Sequence, residues 1–235
     1  MSGSFAAAIE ALERSADVPA GFCRPFLDVL PVSGASVSTV GDLLGSETLA
    51  ASDELAARLD ELQFDLGEGP CWDAMKLGRP VLEPDLRNRP NNIWPAFSAA
   101  ILQDDVRSIF AFPLSVGPLR MGAIDLYSFA PVSLDRRQAR QADVMAGVVS
   151  RHVLRQALTA VGQEDDGTGT AYSRRLLHQA TGVVLAQLDI SADDARLVIQ
   201  GHAFAESRPV MDVARDILDG RLNLSRHGAG IEATE

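Results

Sequence analysis

Thiols and lysines are nearly missing from this chain of 235 residues: there are two cysteines, Cys23 and Cys71, and one lysine, Lys76. With no CxxC pair and no His/Cys cluster, there is no metal-ligand spacing. Two cysteines so placed also supply no disulfide framework in a reducing compartment. Positive charge is short overall, with 21 Lys+Arg against 32 Asp+Glu and a formal net charge of -11. That balance excludes a protein that coats nucleic acid or anionic membrane by bulk electrostatics, so any such contact needs a local patch. No apolar run approaches the ~18 residues of a membrane span, and the N-terminus lacks the basic, apolar, small-residue order of a secretory signal. The expected location is the cytoplasm, without membrane contact. GxSxG, P-loop and paired-carboxylate patterns on matching elements are missing, and the chain is not expected to be an enzyme. The N-terminal half also lacks the alternation of parallel strands and helices that a phospho-acceptor domain needs.

What the chain does have is clearest near its end, from Tyr172 to Leu224. Leu176, Leu177, Ala180, Val183, Val184 and Leu188 follow the spacing of one buried helical face, and that helix stops near Asp189. A second helix opens at Ser191, a good N-cap, with Asp193 and Asp194 in its first turn and Ala195, Val198, Ile199 and Ala203 facing inward. Pro209 then suits a first helical position, and Val210, Val213, Ala214, Ile217 and Leu218 mark a third helix ended by Gly220. A unit of roughly 50 residues buries little surface alone and is usually attached to something that holds or delivers it.

The preceding 160 residues read as a larger α+β unit. Helical patterns at Ser2 to Ala16 and Phe22 to Leu30 lead into a half-buried strand at Ala35 to Val40, with another short strand near Ser46 to Ala50. Ser52 is expected to cap a helix to about Gln63, with Leu55, Leu59 and Leu62 inward. A Gly/Pro turn at Leu66 to Cys71 precedes a helix begun by Pro70. Val81 and Leu82 form a short strand, and Trp94, Phe97 and Ile101 lie on a helix. Val106 to Leu114 and Arg120 to Phe129, joined at Gly117-Pro118, are the best strands and predict an antiparallel hairpin at the sheet centre. Leu134 to Ala160 reads as one long helix with Val144, Val148, Val149, Val153 and Leu154 on its apolar side.

Residues 162–170 contain no apolar side chain and three glycines, the composition of a flexible linker. The expected division is therefore a domain at 1–161, a linker at 162–170, a three-helix domain at 171–225 and a disordered tail at 226–235. Residues 1–170 carry 14 basic against 23 acidic side chains, and residues 171–235 carry 7 against 9, so the acidity belongs mainly to the first domain.

In the first domain Glu61-Leu62-Gln63-Phe64, Leu66 to Cys71, Asp85-Leu86, Trp94 to Phe97, Arg107 to Leu114 and Gly122 to Tyr127 occur in an order that resembles a GAF domain of bacterial regulators. The resemblance covers roughly 20–158 and implies a central antiparallel sheet flanked by helices. In the second domain His178 to Val184, Ser191 with Asp194-Ala195, His202 to Ala205, and Arg208-Pro209 with Val213 to Ile217 are similar to an ANTAR domain, the three-helix RNA-binding module of transcription antitermination regulators. Thr181 stands where many members carry lysine and Gln200 where arginine is common, so positive charge is lower here. The ANTAR resemblance implies binding of hairpin loops in transcript leaders, in competition with a terminator hairpin.

An RNA face must offer arginines to phosphate and amides or rings to unpaired bases. The candidates are Arg175, His178, Gln179 and Thr181 on the first helix, Arg196 and Gln200 on the second, and Arg208 and Arg215 around the third. Because one such unit carries little positive charge, a homodimer that gains from effective concentration is expected. For a small-molecule ligand in the first domain the candidates are Cys71, Trp94, Phe97, Arg107, Phe110, Phe112, Asp125 and Tyr127, though aromatics in these elements also suit plain core. Nothing in the residues specifies a cyclic nucleotide, haem or other cofactor. Gly182 within the first helix suits either close helix packing or access for RNA. Two alternatives stay open: a protein-docking module, and a thiol redox sensor or methionine sulfoxide reductase using Cys71.

Overall fold

A computed structural model of the chain describes residues 3–15, 18–40, 46–88, 93–160, 175–206, 208–227 and 230–234. The chain divides into two compact units, Met1–Tyr172 and Ser173–Glu235. The linker expected at 162–170 lies outside the described residues.

The first unit is an α+β domain. Its elements are α1 (Gly3–Arg14), α2 (Arg24–Val29), β1 (Gly34–Thr39), β2 (Glu47–Ala51), α3 (Glu54–Leu66), α4 (Pro70–Leu77), β3 (Val81–Glu83), α5 (Pro95–Ala100), β4 (Ser108–Val116), β5 (Leu119–Ser128) and α6 (Arg136–Ala160). The strands form one antiparallel sheet in the order β2-β1-β5-β4-β3, with the expected β4–β5 hairpin at its centre. Strand alternation sends Ala35, Val37, Phe110, Phe112, Leu114, Ile124 and Leu126 to one face. There they meet Leu12 of α1, Phe26 of α2 and Met145 and Val149 of α6. Ile109 and Tyr127 point to the opposite face, against Ala56 and Leu59 of α3 and Trp94, Phe97 and Ile101 around α5. Each fully buried Phe or Leu contributes about 1.5–3 kcal/mol, and the two layers cover both faces of the sheet.

Local chemistry sets the element ends. Asp53, rather than Ser52, caps α3: its Oδ1 accepts from Ala56 N–H at 2.8 Å. Ser52 instead accepts the Ala35 amide at 2.9 Å and donates to Asp53 at 2.5 Å, joining the cap to β1. Asp135 and Gln138 form a reciprocal box at the start of α6, with Gln138 N–H donating to Asp135 at 2.8 Å and Asp135 N–H donating to Gln138 at 2.9 Å. Val144, expected on the apolar side of α6, is exposed, because the buried stripe runs through Ala142, Met145, Val149 and Val153 instead. Gly122 marks the closest approach in the sheet: a Cβ there would lie 1.9 Å from the Ser38 carbonyl oxygen.

The second unit comprises α7 (Arg175–Leu188), α8 (Ala192–Glu206), α9 (Val210–Leu218), β6 (Asn223–His227) and β7 (Gly230–Thr234). Its core is built from Leu177, Ala180, Val184 and Leu188 of α7, Ala195, Ile199 and Ala203 of α8, and Val210, Val213, Ala214 and Ile217 of α9. Asp189 ends α7 with a positive φ of 53°. Ser191 caps α8, its Oγ accepting from Asp194 N–H at 3.1 Å and donating to the Asp194 carboxylate at 2.7 Å. After α9 the chain departs from the expected disordered tail. β6 pairs antiparallel with β7, and Leu222 and Leu224 are buried, so their apolar side chains extend the three-helix core.

Candidate RNA interface and buried polar site

The candidates for a ligand pocket in the first unit do not converge. Phe110 and Phe112 are fully buried against the α1, α2 and α6 layer, whereas Trp94, Phe97 and Tyr127 lie in the α3–α5 layer. Period-2 alternation along β4 and β5 separates them, so the two phenylalanines cannot share a cavity with Asp125 and Tyr127. Arg107 is occupied at the start of β4, donating to both oxygens of Asp85 at 3.2 and 3.5 Å. The Asn88 amide, first, and then Arg107 hold the Asp85 carboxyl below its ordinary range.

On the α3 and α4 side of the sheet lies a buried polar chain that the sequence only half revealed. Gln63 of α3 donates from Nε2 to Asp125 Oδ2 at 2.6 Å, and its Oε1 accepts the Cys71 amide at 2.8 Å. Its backbone carbonyl accepts from the Trp72 indole at 2.6 Å. One turn earlier, Asp60 accepts from the Thr48 hydroxyl of β2. Gly69 leaves room for Gln63, since a Cβ at that glycine would approach the Gln63 side chain to 2.6 Å. Asp125 is buried in the central strand, and its Oδ1 has no hydrogen-bond partner. Burial, and then the nearby Asp60 carboxylate, push the Asp125 carboxyl well above its ordinary range. Asp60 and Gln63 were missed as site residues because Leu55, Leu59 and Leu62 mark one inward stripe. The signal available was Ala56, Asp60 and Gln63, a second stripe at i, i+4, i+7 with two polar members.

Tyr127 donates to Asp53 at 3.0 Å, tying the central strand to the α3 cap, and burial and that contact raise its phenol pKa. Trp94 donates to Asp73 at 3.0 Å, and Glu68 accepts the Phe97 amide at 2.8 Å, so the Gly/Pro turn clamps α5. Cys71 is buried on α4, on the Asp125 side, while Cys23 is buried among Phe22 and Phe26 on the other side of the sheet. Burial pushes the Cys23 thiol up to about 12, with the Asp53 charge adding to it. The two thiols are separated by the sheet and cannot exchange with one another.

In the second unit His178 and Gln179 are exposed on α7, as an RNA face requires. Thr181 turns its hydroxyl back to the Leu177 carbonyl at 2.7 Å. Arg175 begins α7 and Gln200 is half-buried on α8. Every arginine of this unit with a described side chain is paired to acid. Arg196 lies 3.6 Å from Asp193, and Arg215 lies 2.9 Å from Asp212. Arg208 reaches Glu206 at 3.2 Å and also Asp216, and Arg221 reaches Asp216 at 2.8 Å and Asp219 at 2.7 Å. The bonds from Arg208, first, and from Arg221 hold the Asp216 carboxyl below its ordinary range. Gly182 is exposed, and a Cβ placed on it meets no atom within 4 Å. Close helix packing is therefore not the reason for this glycine.

The family model of the ANTAR domain matches residues 169–218. The first unit has the GAF fold. It is similar to the GAF domain of a phosphoenolpyruvate-protein phosphotransferase from Coxiella burnetii, at 10% identity and a TM-score of 0.51, covering 67% of this chain and 97% of that one. The corresponding GAF domain from Acinetobacter is 10% identical, with a TM-score of 0.50, 69% of this chain covered and 99% of that one. A free methionine-R-sulfoxide reductase from Neisseria meningitidis is 16% identical over 65% of this chain and 89% of its own, at a TM-score of 0.48, too distant to bear on activity. No curated protein matches the chain. Residues 169–218 thus match the ANTAR family model, and the first unit carries the GAF fold. Among the described residues no helix is long and apolar enough to cross a membrane.

Proposed function

We propose that this protein binds hairpin loops in nascent transcript leaders through α7 and α8, and thereby prevents a terminator hairpin from forming. The observation that carries the proposal is the ANTAR match over residues 169–218, on a three-helix unit whose core closes without the outward His178 and Gln179. The first unit is the signal-receiving half, acting as a homodimer that brings two RNA-binding units together; two linked contacts gain from effective concentration what one acidic unit lacks. A small molecule is the expected signal, and the site favoured for it is the α3–β5 side of the sheet, where Asp125, Gln63 and Cys71 are linked. The test is a gel-shift titration of the full chain with paired stem-loop RNA against scrambled RNA, with sedimentation of the same samples. Preference for the paired stem-loops and a dimeric complex support the proposal; equal binding of both RNAs refutes it.

A docking role for the second unit is the competing reading, favoured by the pairing of its arginines with acids. Salt separates the two: RNA affinity falls between 50 and 200 mM salt in proportion to the phosphates contacted, and an apolar protein contact does not.

A further inference from the structure

Helix α8 buries Ala195, Ile199 and Ala203 in the core, yet on its outward side it carries two large apolar residues that the core does not use. Leu197 is 62% exposed and Phe204 is 69% exposed. Between them lies Gly201, exposed, where a Cβ would meet no atom within 4 Å. Seven residues of helix turn through about 700°, so Leu197 and Phe204 stand within about 20° of the same line and about 10.5 Å apart along the axis. Gly201 falls between them, four residues after Leu197 and three before Phe204. The result is an apolar strip with a notch at its middle, bare to the helix backbone. A nucleobase, about 3.4 Å thick, fits such a notch between an aromatic ring and an aliphatic side chain.

We infer that Leu197, Gly201 and Phe204 form a stacking slot for an unpaired base of the RNA loop, and that this slot supplies affinity which the acid-paired arginines do not. The inference rests on the RNA-binding reading above and adds to it the residues that hold the base. Three features favour a base over a second copy of the chain. The two side chains expose together about 250 Å², well under the ~800 Å² per partner of a stable protein interface. The notch is open at Gly201, where a Cβ would meet no atom within 4 Å, so a flat ring can approach the helix backbone there. Arg196 and Arg208, on either side of the strip in sequence, are held by Asp193 and by Glu206 and Asp216, which limits the phosphate contribution and leaves stacking as the available attraction. Stacking on an aromatic tolerates any base and depends little on salt. The sequence contained the signal: Leu197 and Phe204 are apolar residues at the outward phase of an amphipathic helix.

The experiment uses the full chain and an RNA of two adjacent stem-loops, selected on the wild-type protein from a library with randomised loops and carrying 2-aminopurine at single loop positions. Phe204→Ala is expected to weaken binding about tenfold to a hundredfold with an unchanged salt slope, and Phe204→Trp to restore it. Gly201→Leu fills the notch in open space and improves helix propensity, so it should keep the fold and lose binding to a similar degree. In the wild type one loop position should show quenched 2-aminopurine fluorescence, and both Phe204→Ala and Gly201→Leu should relieve it. If the wild type selects RNA and these two variants bind it as well as the wild type does, the slot is refuted while RNA binding stands. If selection yields no RNA bound better than scrambled sequence, the RNA-binding reading fails and the slot with it. If Phe204→Ala turns a dimer into a monomer by sedimentation, the strip is a subunit interface and the inference is overturned.

Discussion

Replacing Asp125 by Asn should make the first unit more stable at neutral pH, although it alters a residue bonded at the centre of the sheet. Asp125 is 4% exposed, with Oδ2 accepting from Gln63 and Oδ1 unpartnered. Its pKa is raised well above 3.8 by burial and by Asp60, so the folded state binds this proton more tightly than the unfolded chain does. The stability contributed by the carboxyl is therefore complete below about pH 4 and is lost as pH rises through the folded pKa. Within that window wild type loses about 1.4 kcal/mol for each pH unit. Asn keeps the shape and the acceptor for Gln63 but has no proton to lose. Asp125→Asn should match wild type near pH 4 and gain on it at higher pH, by as much as about 1.4 kcal/mol per unit until the folded pKa is passed. Asp125→Ala should instead cost about 1–3 kcal/mol even at low pH, because it leaves the buried Gln63 amide unpaired. Urea unfolding followed by Trp72 and Trp94 fluorescence, both in the first unit, reports these values from pH 4.5 to 8.5. Parallel stability curves for wild type and Asp125→Asn, or a variant weaker than wild type at pH 8, would refute the reasoning.

Gly122→Ala should destabilise the first unit by about 3 kcal/mol or more, since its Cβ would overlap the Ser38 carbonyl oxygen and backbone cannot yield as a side chain can; thermal unfolding measures it. Neither Cys23 nor Cys71 should react with a thiol-specific disulfide reagent at pH 8 until denaturant is added, because both are buried; rapid native labelling of Cys71 would revive the redox reading. Each of these arginines holds two acids, so Asp216→Asn combined with Glu206→Gln and Asp219→Asn should release Arg208 and Arg221 for phosphate, raising RNA affinity at low salt and steepening the salt slope by about 1.4 if both make contact. An unchanged slope, with the fold intact by circular dichroism, would show that those arginines stay clear of the RNA.

Most of the architecture was legible because it rests on local chemistry. Period-2 runs marked β1, β4 and β5, Pro70 and Ser191 marked helix starts, and the helical spacing in α7, α8 and α9 identified their buried faces. The errors arose where a tertiary partner decided. Val144 looked apolar and inward, but the rotation of α6 on the sheet placed it outside. Asp53 took the α3 cap from Ser52 because Ser52 was needed by β1. The hairpin after α9 was missed because the burial of Leu222 and Leu224, at its start, depends on a core made by three preceding helices.

The candidate sites divide along the same line. The order of residue types by itself determined that a small three-helix unit with an ANTAR pattern follows a larger α+β domain, because periodicity and capping act within a few residues. Only the tertiary structure decided which charges are free to act. Arg208 and Asp216, eight residues apart, meet across a helix start, and their pairing engages a guanidinium that the sequence offered to phosphate. Phe110 and Asp125 occupy neighbouring strands and look like partners, but alternation puts them on opposite faces of the sheet. Gln63 and Asp125, sixty-two residues apart, are joined because the packing of α3 on the sheet brings the amide to 2.6 Å from the carboxyl. Charge and hydrogen bonding depend on distance in space, which folding sets after the local pattern has done its work.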